Sequence, residues 1–276
     1  MLPHFARPWL AALSLFAVVA APPIAHRIWT DQPGTSVFVS PAEAQWGFRR
    51  VVSTASPSKP GHSFFFARAI YSGSGFRPGW NTDYPKADQQ FIAVLKRLTD
   101  VDSSSEDFAV RLDDPNLRRY PFLYALEVGG MRLTEAEVQG LRDYLLAGGF
   151  LMIDDFWGTY QWRNFEQEIE RVLPEYPIVE LPMDHPIFSA MYTVDEIVQV
   201  PTVDRGVSGA PTFEQDGYVP YARGIFDDDG RLMVMINWNT DIGDAWEHAE
   251  HPLYPLKFST YAFEMGTNAI IYAMTH

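Results

Sequence analysis

Between Leu133 and Asp155 the hydrophobic pattern changes period within the space of two glycines. "LTEAEVQGLRDYLLAGG" spaces its apolar side chains at helical intervals, opens with Thr134 and Glu137 as a capping box, and stops at Gly148. "FLMIDD" then runs four apolar residues, Phe150 to Ile153, without alternation, the pattern of a buried strand. A strand covered on both faces needs helices above and below it, so this junction limits the chain to layered α/β architectures.

The same alternation recurs along the chain. "SFFFARAIY", "DFAVRL", "PFLYALEVGG" and "PIVELP" read as strands. "ADQQFIAVLKRLTD" sets Phe91, Val94, Leu95 and Leu98 on one helical face, and a further helix is expected from about Trp162 to Leu173. "RGIFDDDGRLMVMINW" is a hairpin turning at Asp228–Gly230, its acids serving the turn, and "STYAFEMGTNAIIYAMTH" is a closing helix. Asp113 or Asp114 should cap a turn before Tyr120, and Asp184 a turn begun by Pro186, with His185 a structural or acid–base histidine. The fold class expected is α/β: a doubly wound, mostly parallel sheet with a C-terminal β-hairpin and closing helix. Phe150–Ile153 should be central, between Phe64–Ala69 and Leu123–Leu126.

The first 21 residues resemble an export signal. One basic residue, Arg7, precedes the uncharged run Trp9–Ala21, which Pro22 and Pro23 stop. Cleavage is expected after Ala20 or after Ala44, giving an exported (periplasmic or secreted) protein. A retained segment would instead anchor it to the membrane. Residues 22–60 read as a linker and 61–276 as the folded domain. A net charge of −14 disfavours nucleic acid, which needs a basic footprint. With no cysteine, disulfides and thiolate chemistry are excluded.

Three segments carry candidate chemistry. Asp154 and Asp155 end the central strand, where ligands gather in open α/β sheets. Either both serve as caps or turn residues, or one faces a site as a ligand- or metal-binding carboxylate while the other caps the following turn, or the two form a general acid–base pair. "NWNTDIGDAWEHAEH" spaces Asp241, Asp244 and Glu247 by three, placing them on one helical face. Their oxygens would suit a divalent cation, with His248 and His251 as nitrogen donors, although no known metal motif is satisfied; no other cofactor is expected. The loop "YSGSGFRPGWNTDYP" after the first strand offers Tyr71, Gly73, Gly75, Gly79, Trp80 and Tyr84, but neither G-x-G-x-x-G nor a lysine for phosphate. Trp80, Trp157, Trp162, Trp238 and Trp246 fall near strand ends, as sugar-stacking faces or as core.

Taken as a set, "EVQGLRDYLLAGG" with "FLMIDD", "ELPMDHPIF" and "WNTDIGDAWE" resemble an uncharacterised bacterial family, domain of unknown function four-one-five-nine, over roughly Ser63 to His276. The resemblance implies a flavodoxin-like, class I glutamine amidotransferase-like fold and an exported or membrane-tethered protein, with no activity attached. The segments "YLLAGGFLMIDD" and "DHPIF" are similar also to the trehalose-utilisation protein family. Where an amidotransferase would hold its cysteine this chain reads Asp154-Asp155-Phe156-Trp157, so glutamine hydrolysis is excluded. The expectation is a small polar or carbohydrate-like ligand, or an envelope partner protein, bound by Asp154, Asp155, Trp157, Tyr71, Gly73, Gly75, Trp80, Asp241, Asp244, Trp246 and Glu247. The alternatives are a metal- or carboxylate-dependent hydrolase acting on a glycan, and a structural component of envelope assembly.

Overall fold

The computed structural model describes residues 63–73 and 79–276, so the expected leader and linker, and Gly75, lie outside the described residues. Strand β1 (Ala67–Ile70) leads through helix α1 (Lys86–Leu98) to β2 (Phe108–Arg111), its parallel neighbour. β3 (Phe122–Leu126) takes the other edge of β1, and α2 (Glu135–Leu146) carries the chain to β4 (Phe150–Asp154) beside β3. α3 (Gly158–Val172), the two-residue β5 (Val179–Glu180) and the short α4 (Val203–Ser208) follow. β6 (Tyr221–Phe226) and β7 (Leu232–Trp238) form the expected hairpin, and α5 (Ile242–Glu247) and α6 (Leu256–Thr275) come last.

The seven strands are ordered β2-β1-β3-β4-β7-β6-β5. β2, β1, β3, β4 and β7 run parallel, in the 2-1-3-4-5 pattern of flavodoxin-like sheets with β7 in fifth place. Side chains alternate between two cores. Phe122, Tyr124, Phe150 and Met152 pack with α1, α5 and α6; Leu123, Ala125, Leu151 and Ile153 pack with α2 and α3. Phe150 to Ile153 are 0–2% exposed, so the central strand is sealed on both faces.

The neighbour of β4 differs from expectation. β1 is separated from it by β3, and the second partner is β7. β7 is buried from Leu232 through Asn237, and such a strand belongs inside a sheet. α3 starts earlier than expected, at Gly158 (φ +68), where a Cβ would meet Asp216 Oδ1 at 2.1 Å. β5 is short because Pro177 and Pro182 flank it and cannot donate ladder bonds. Asp114 accepts from Asn116 N (2.7 Å) before the turn Leu117–Arg119, but the turn Pro186–Phe188 is capped by His185 Nδ1, not Asp184. The capping box of α2 forms as expected, with Thr134 N donating to Glu137 at 2.9 Å.

One buried ion pair ties β1 to α1. Arg68 has no exposed surface; its Nε donates to Asp88 Oδ2 (3.3 Å), its Nη2 to Asp88 Oδ1, and its Nη1 to the carbonyls of Trp80 (3.3 Å) and Thr82 (3.0 Å). The guanidinium lies 4.7 Å from the centre of the Tyr124 ring. Removing one partner leaves an uncompensated buried charge. Asp88→Ala should therefore cost about 3–5 kcal/mol in urea unfolding, and adding Arg68→Met should recover part of it.

Candidate functional site

β3, β4 and β7 are neighbours, and the residue immediately after each adopts left-handed backbone: Glu127 (φ 54), Asp155 (φ 46) and Asn239 (φ 62). Main-chain hydrogen bonds continue past the sheet through these residues. Glu127 N donates to Asp155 O (2.9 Å), Asp155 N to Thr240 O (3.1 Å) and Asn239 N to Phe156 O (3.1 Å). Asn and Asp tolerate this conformation best, while Glu127 pays roughly 1–2 kcal/mol for it. Such strain concentrated at one sheet edge is characteristic of functional sites.

Over this edge lies a cleft of about 240 Å³. Asp155, Trp157 and Gln161 line it from β4 and α3, Asp241 and Asp244 from the start of α5, and Glu127 from the end of β3. Thr82 and Asp83, Thr202 and Glu214 close it from the surrounding loops. Asp83, also left-handed (φ 59), is delivered by the turn that Arg68 grips.

Asp154 and Asp155 divide the two roles open to them. Asp154 is fully buried; its Oδ2 accepts from Tyr124 Oη (2.9 Å) and from Gly243 N (3.0 Å), and its Oδ1 has no hydrogen-bond partner. It therefore serves the N-terminus of α5, not the turn that follows it. Asp155 faces the cleft, steadied by Trp157 Nε1 on Oδ1 (3.0 Å).

The helix N-termini around the cleft are filled by the protein's own acceptors. Asn239 Oδ1 takes Gly158 N (2.8 Å) and Asp216 Oδ1 takes Thr159 N (2.8 Å) at α3. Asp241 Oδ1 takes Asp244 N (2.8 Å) at α5, and Asp244 Oδ2 takes Val203 N at α4. The amides that usually hold phosphate in such folds are thus already occupied.

Other expected residues stand elsewhere. Tyr71 is buried, its hydroxyl donating to Leu126 O (2.6 Å), and Gly73 bridges to Met131. Trp80 packs on Tyr84 (5.8 Å between rings) outside the cleft. Trp246, expected to contact a ligand, is wholly buried against Phe91, 4.4 Å between ring centres. Trp162 and Trp238 pack with ring centres 4.7 Å apart and planes tilted by 43°, and the Arg223 guanidinium lies over both rings, at 4.3 and 4.8 Å. His251 Nδ1 accepts from Leu253 N, capping a turn. Among the described residues one group of metal-type ligands converges, Asp244, Glu247 and His248. Asp83, Glu127 and Glu214 belong to no motif. Glu127 could have been found as the first residue beyond an apolar strand; Asp83 could not, because its placement depends on Arg68.

Crowding and burial raise the acids together. Burial pushes Asp83 up to about 8, with Asp244 the strongest neighbouring charge adding to it. Burial pushes Asp154 up to about 7 against the hydrogen bonds from Tyr124 and Gly243. Asp155 is raised well above the carboxylate range by burial and then by Glu127 and Asp83, and Asp241 by burial and then by Asp155 and Asp244.

A model of the family described as Domain of unknown function (DUF4159) matches residues 65–274. The chain belongs to this family. No curated protein matches it. The strand ends that build the cleft all lie within the matched DUF4159 region.

The raised acids set a pH dependence for this DUF4159 domain. Between the ordinary carboxylate range and about pH 8, the folded protein keeps protons that the unfolded chain has lost, so stability falls as pH rises through that window. Asp155→Asn should raise stability at pH 8, where the folded protein holds a proton that the unfolded chain has lost, and change it little at pH 4. Asn also accepts from Trp157 and tolerates the left-handed backbone. Urea unfolding at the two pH values checks this; a less stable variant at pH 8 would show that the hydrogen bonds of the carboxylate outweigh its repulsion.

Proposed function

We propose that this DUF4159 protein is an exported binding domain whose cleft holds a small polar ligand rich in hydrogen-bond donors, carbohydrate-like or amine-bearing. The surplus of acceptors carries this reading. Asp83, Asp155 and Asp241 meet at one strand-end edge, and Asp83 Oδ2 is buried without a hydrogen-bond partner. A ligand bringing N–H or O–H groups, or positive charge, would relieve that repulsion, whereas an anion would add to it. The volume of about 240 Å³ lies below the range of roughly 300–1,000 Å³ typical for drug-sized ligands, which favours a small one. Trp157, the one tryptophan in the lining, is 3% exposed, so hydrogen bonds and not ring stacking would do the binding. Export is supported by Arg7 followed by the apolar run Trp9–Ala21.

A second reading, a carboxylate-dependent glycan hydrolase, draws support from Asp155 itself. It occupies a tight strand-to-helix turn in left-handed backbone, the kind of position that presents a reacting side chain. Its raised pKa would suit a general acid near neutral pH.

Thermal unfolding of the metal-free full chain with amines, amino sugars, neutral sugars and phosphate tests binding. Amines or sugars should raise Tm, by about 2.7 kcal/mol of stabilisation at a hundredfold excess over Kd, while phosphate should not. Asp155→Asn and Asp241→Asn should abolish the shift. A phosphate shift, or an amine or sugar shift unchanged in Asp155→Asn, would reject the cleft as the site.

A further inference from the structure

On the outer turn of α5, Asp244, Glu247 and His248 converge at ion-pair distances, longer than a direct hydrogen bond between them would be. His248 Nε2 lies 3.5 Å from Asp244 Oδ1 and 3.4 Å from Glu247 Oε2, and the three donor atoms fall within 4.8 Å of one another. A charge-assisted N–H···O bond would close to about 2.7–2.9 Å. Ligand atoms around a tetrahedral ion with bonds of about 2.1 Å stand about 3.4 Å apart, which matches the two histidine–carboxylate edges.

Each carboxylate is also steadied through its other oxygen. Asp244 Oδ2 accepts from Val203 N at the start of α4, and Glu247 Oε1 faces Lys86 Nζ at 3.9 Å. These contacts orient the two acids and leave Oδ1 and Oε2 turned toward the imidazole, as outer partners do in metal sites. The side chains are partly open, His248 at 25% and Glu247 at 21% exposure, so an ion has access. A second observation comes from another segment. Asp83 Oδ2 is buried with no hydrogen-bond partner, and the charges acting on Asp83 include Asp244 and Glu247. A cation at the triad would compensate this carboxylate as well.

We propose that Asp244 Oδ1, Glu247 Oε2 and His248 Nε2 form a site for a zinc-class divalent ion at the rim of the cleft. One imidazole and two carboxylates suit a borderline ion better than Ca²⁺ or Mg²⁺, which prefer oxygen alone. Two carboxylates and a neutral imidazole balance the charge of the ion, and three protein ligands leave one position for water. The site shares Asp244 with the cleft but does not rest on the cleft's binding a ligand.

Calorimetric titration of the tag-free full chain with ZnCl₂, and visible absorption with Co²⁺, decide the matter. One equivalent should bind, with Co²⁺ giving the intense bands of a four-coordinate ion. His248→Ala and Glu247→Gln should each weaken binding by at least about tenfold, the least expected where even an outer partner is worth 10–100-fold. Circular dichroism of each variant confirms folding. Asp155→Asn, which alters only the cleft, should leave metal affinity unchanged. Absence of binding, or binding that survives both rim substitutions, overturns the proposal. Loss in Asp155→Asn with retention in His248→Ala would place the ion in the cleft and overturn it equally.

Discussion

A guanidinium with no exposed surface governs how this edge of the domain is built. Arg68 projects from β1 into the layer between sheet and helices, where an unpaired charge would be prohibitive. Asp88 supplies the counter-charge from α1, and the carbonyls of Trp80 and Thr82 take further donors. The connection between β1 and α1 is thereby held against the sheet, and Asp83 is carried over the ends of β3 and β4. A contact made for folding thus decides which carboxylate reaches the cleft.

The same economy marks the other acids. Asp154, Asp241 and Asp244 each accept a main-chain N–H at a helix start, so each is structural before it is anything else. Asp241 and Asp244 still line the cleft, because a carboxylate has two oxygens and capping engages one. Asp155 caps no helix, and its backbone is strained where Asp154's is not. The paired aspartates at the end of β4 are therefore neighbours in sequence with separate duties.

What could be read from the chain alone follows the range of the interactions. The α2–β4 junction was legible because its capping box, glycine stop and apolar run are local. The hairpin and the closing helix were legible for the same reason. The seat of β7 beside β4 was not, since strand pairing is decided by long-range burial and not by any residue in either strand. Asp155 was legible because it lies just past a strand end, and Asp241 and Asp244 because their spacing of three puts them on one helical face. Trp246 misled, since an acidic stretch around a tryptophan looks solvent-facing, yet helical geometry turns the indole to Phe66, Phe91 and Tyr124. Asp83 lay within the loop singled out after the first strand, yet nothing local set its carboxylate apart from its neighbours.

The self-capped helices have a consequence for what can approach the molecule. In many open α/β sheets the carboxyl edge, with its bare amides and helix dipoles, draws anions in from solution. Here carboxylate and amide oxygens take main-chain donors at the starts of α3, α4 and α5, and once pH rises past about 8 and the raised acids lose their protons the polarity of that edge is reversed. On a chain of net charge −14 the local potential reinforces the global one. Counter-ions would gather over the cleft, positively charged molecules would be steered to it at rates that fall with ionic strength, and nucleotides or phosphorylated sugars would be turned away before contact.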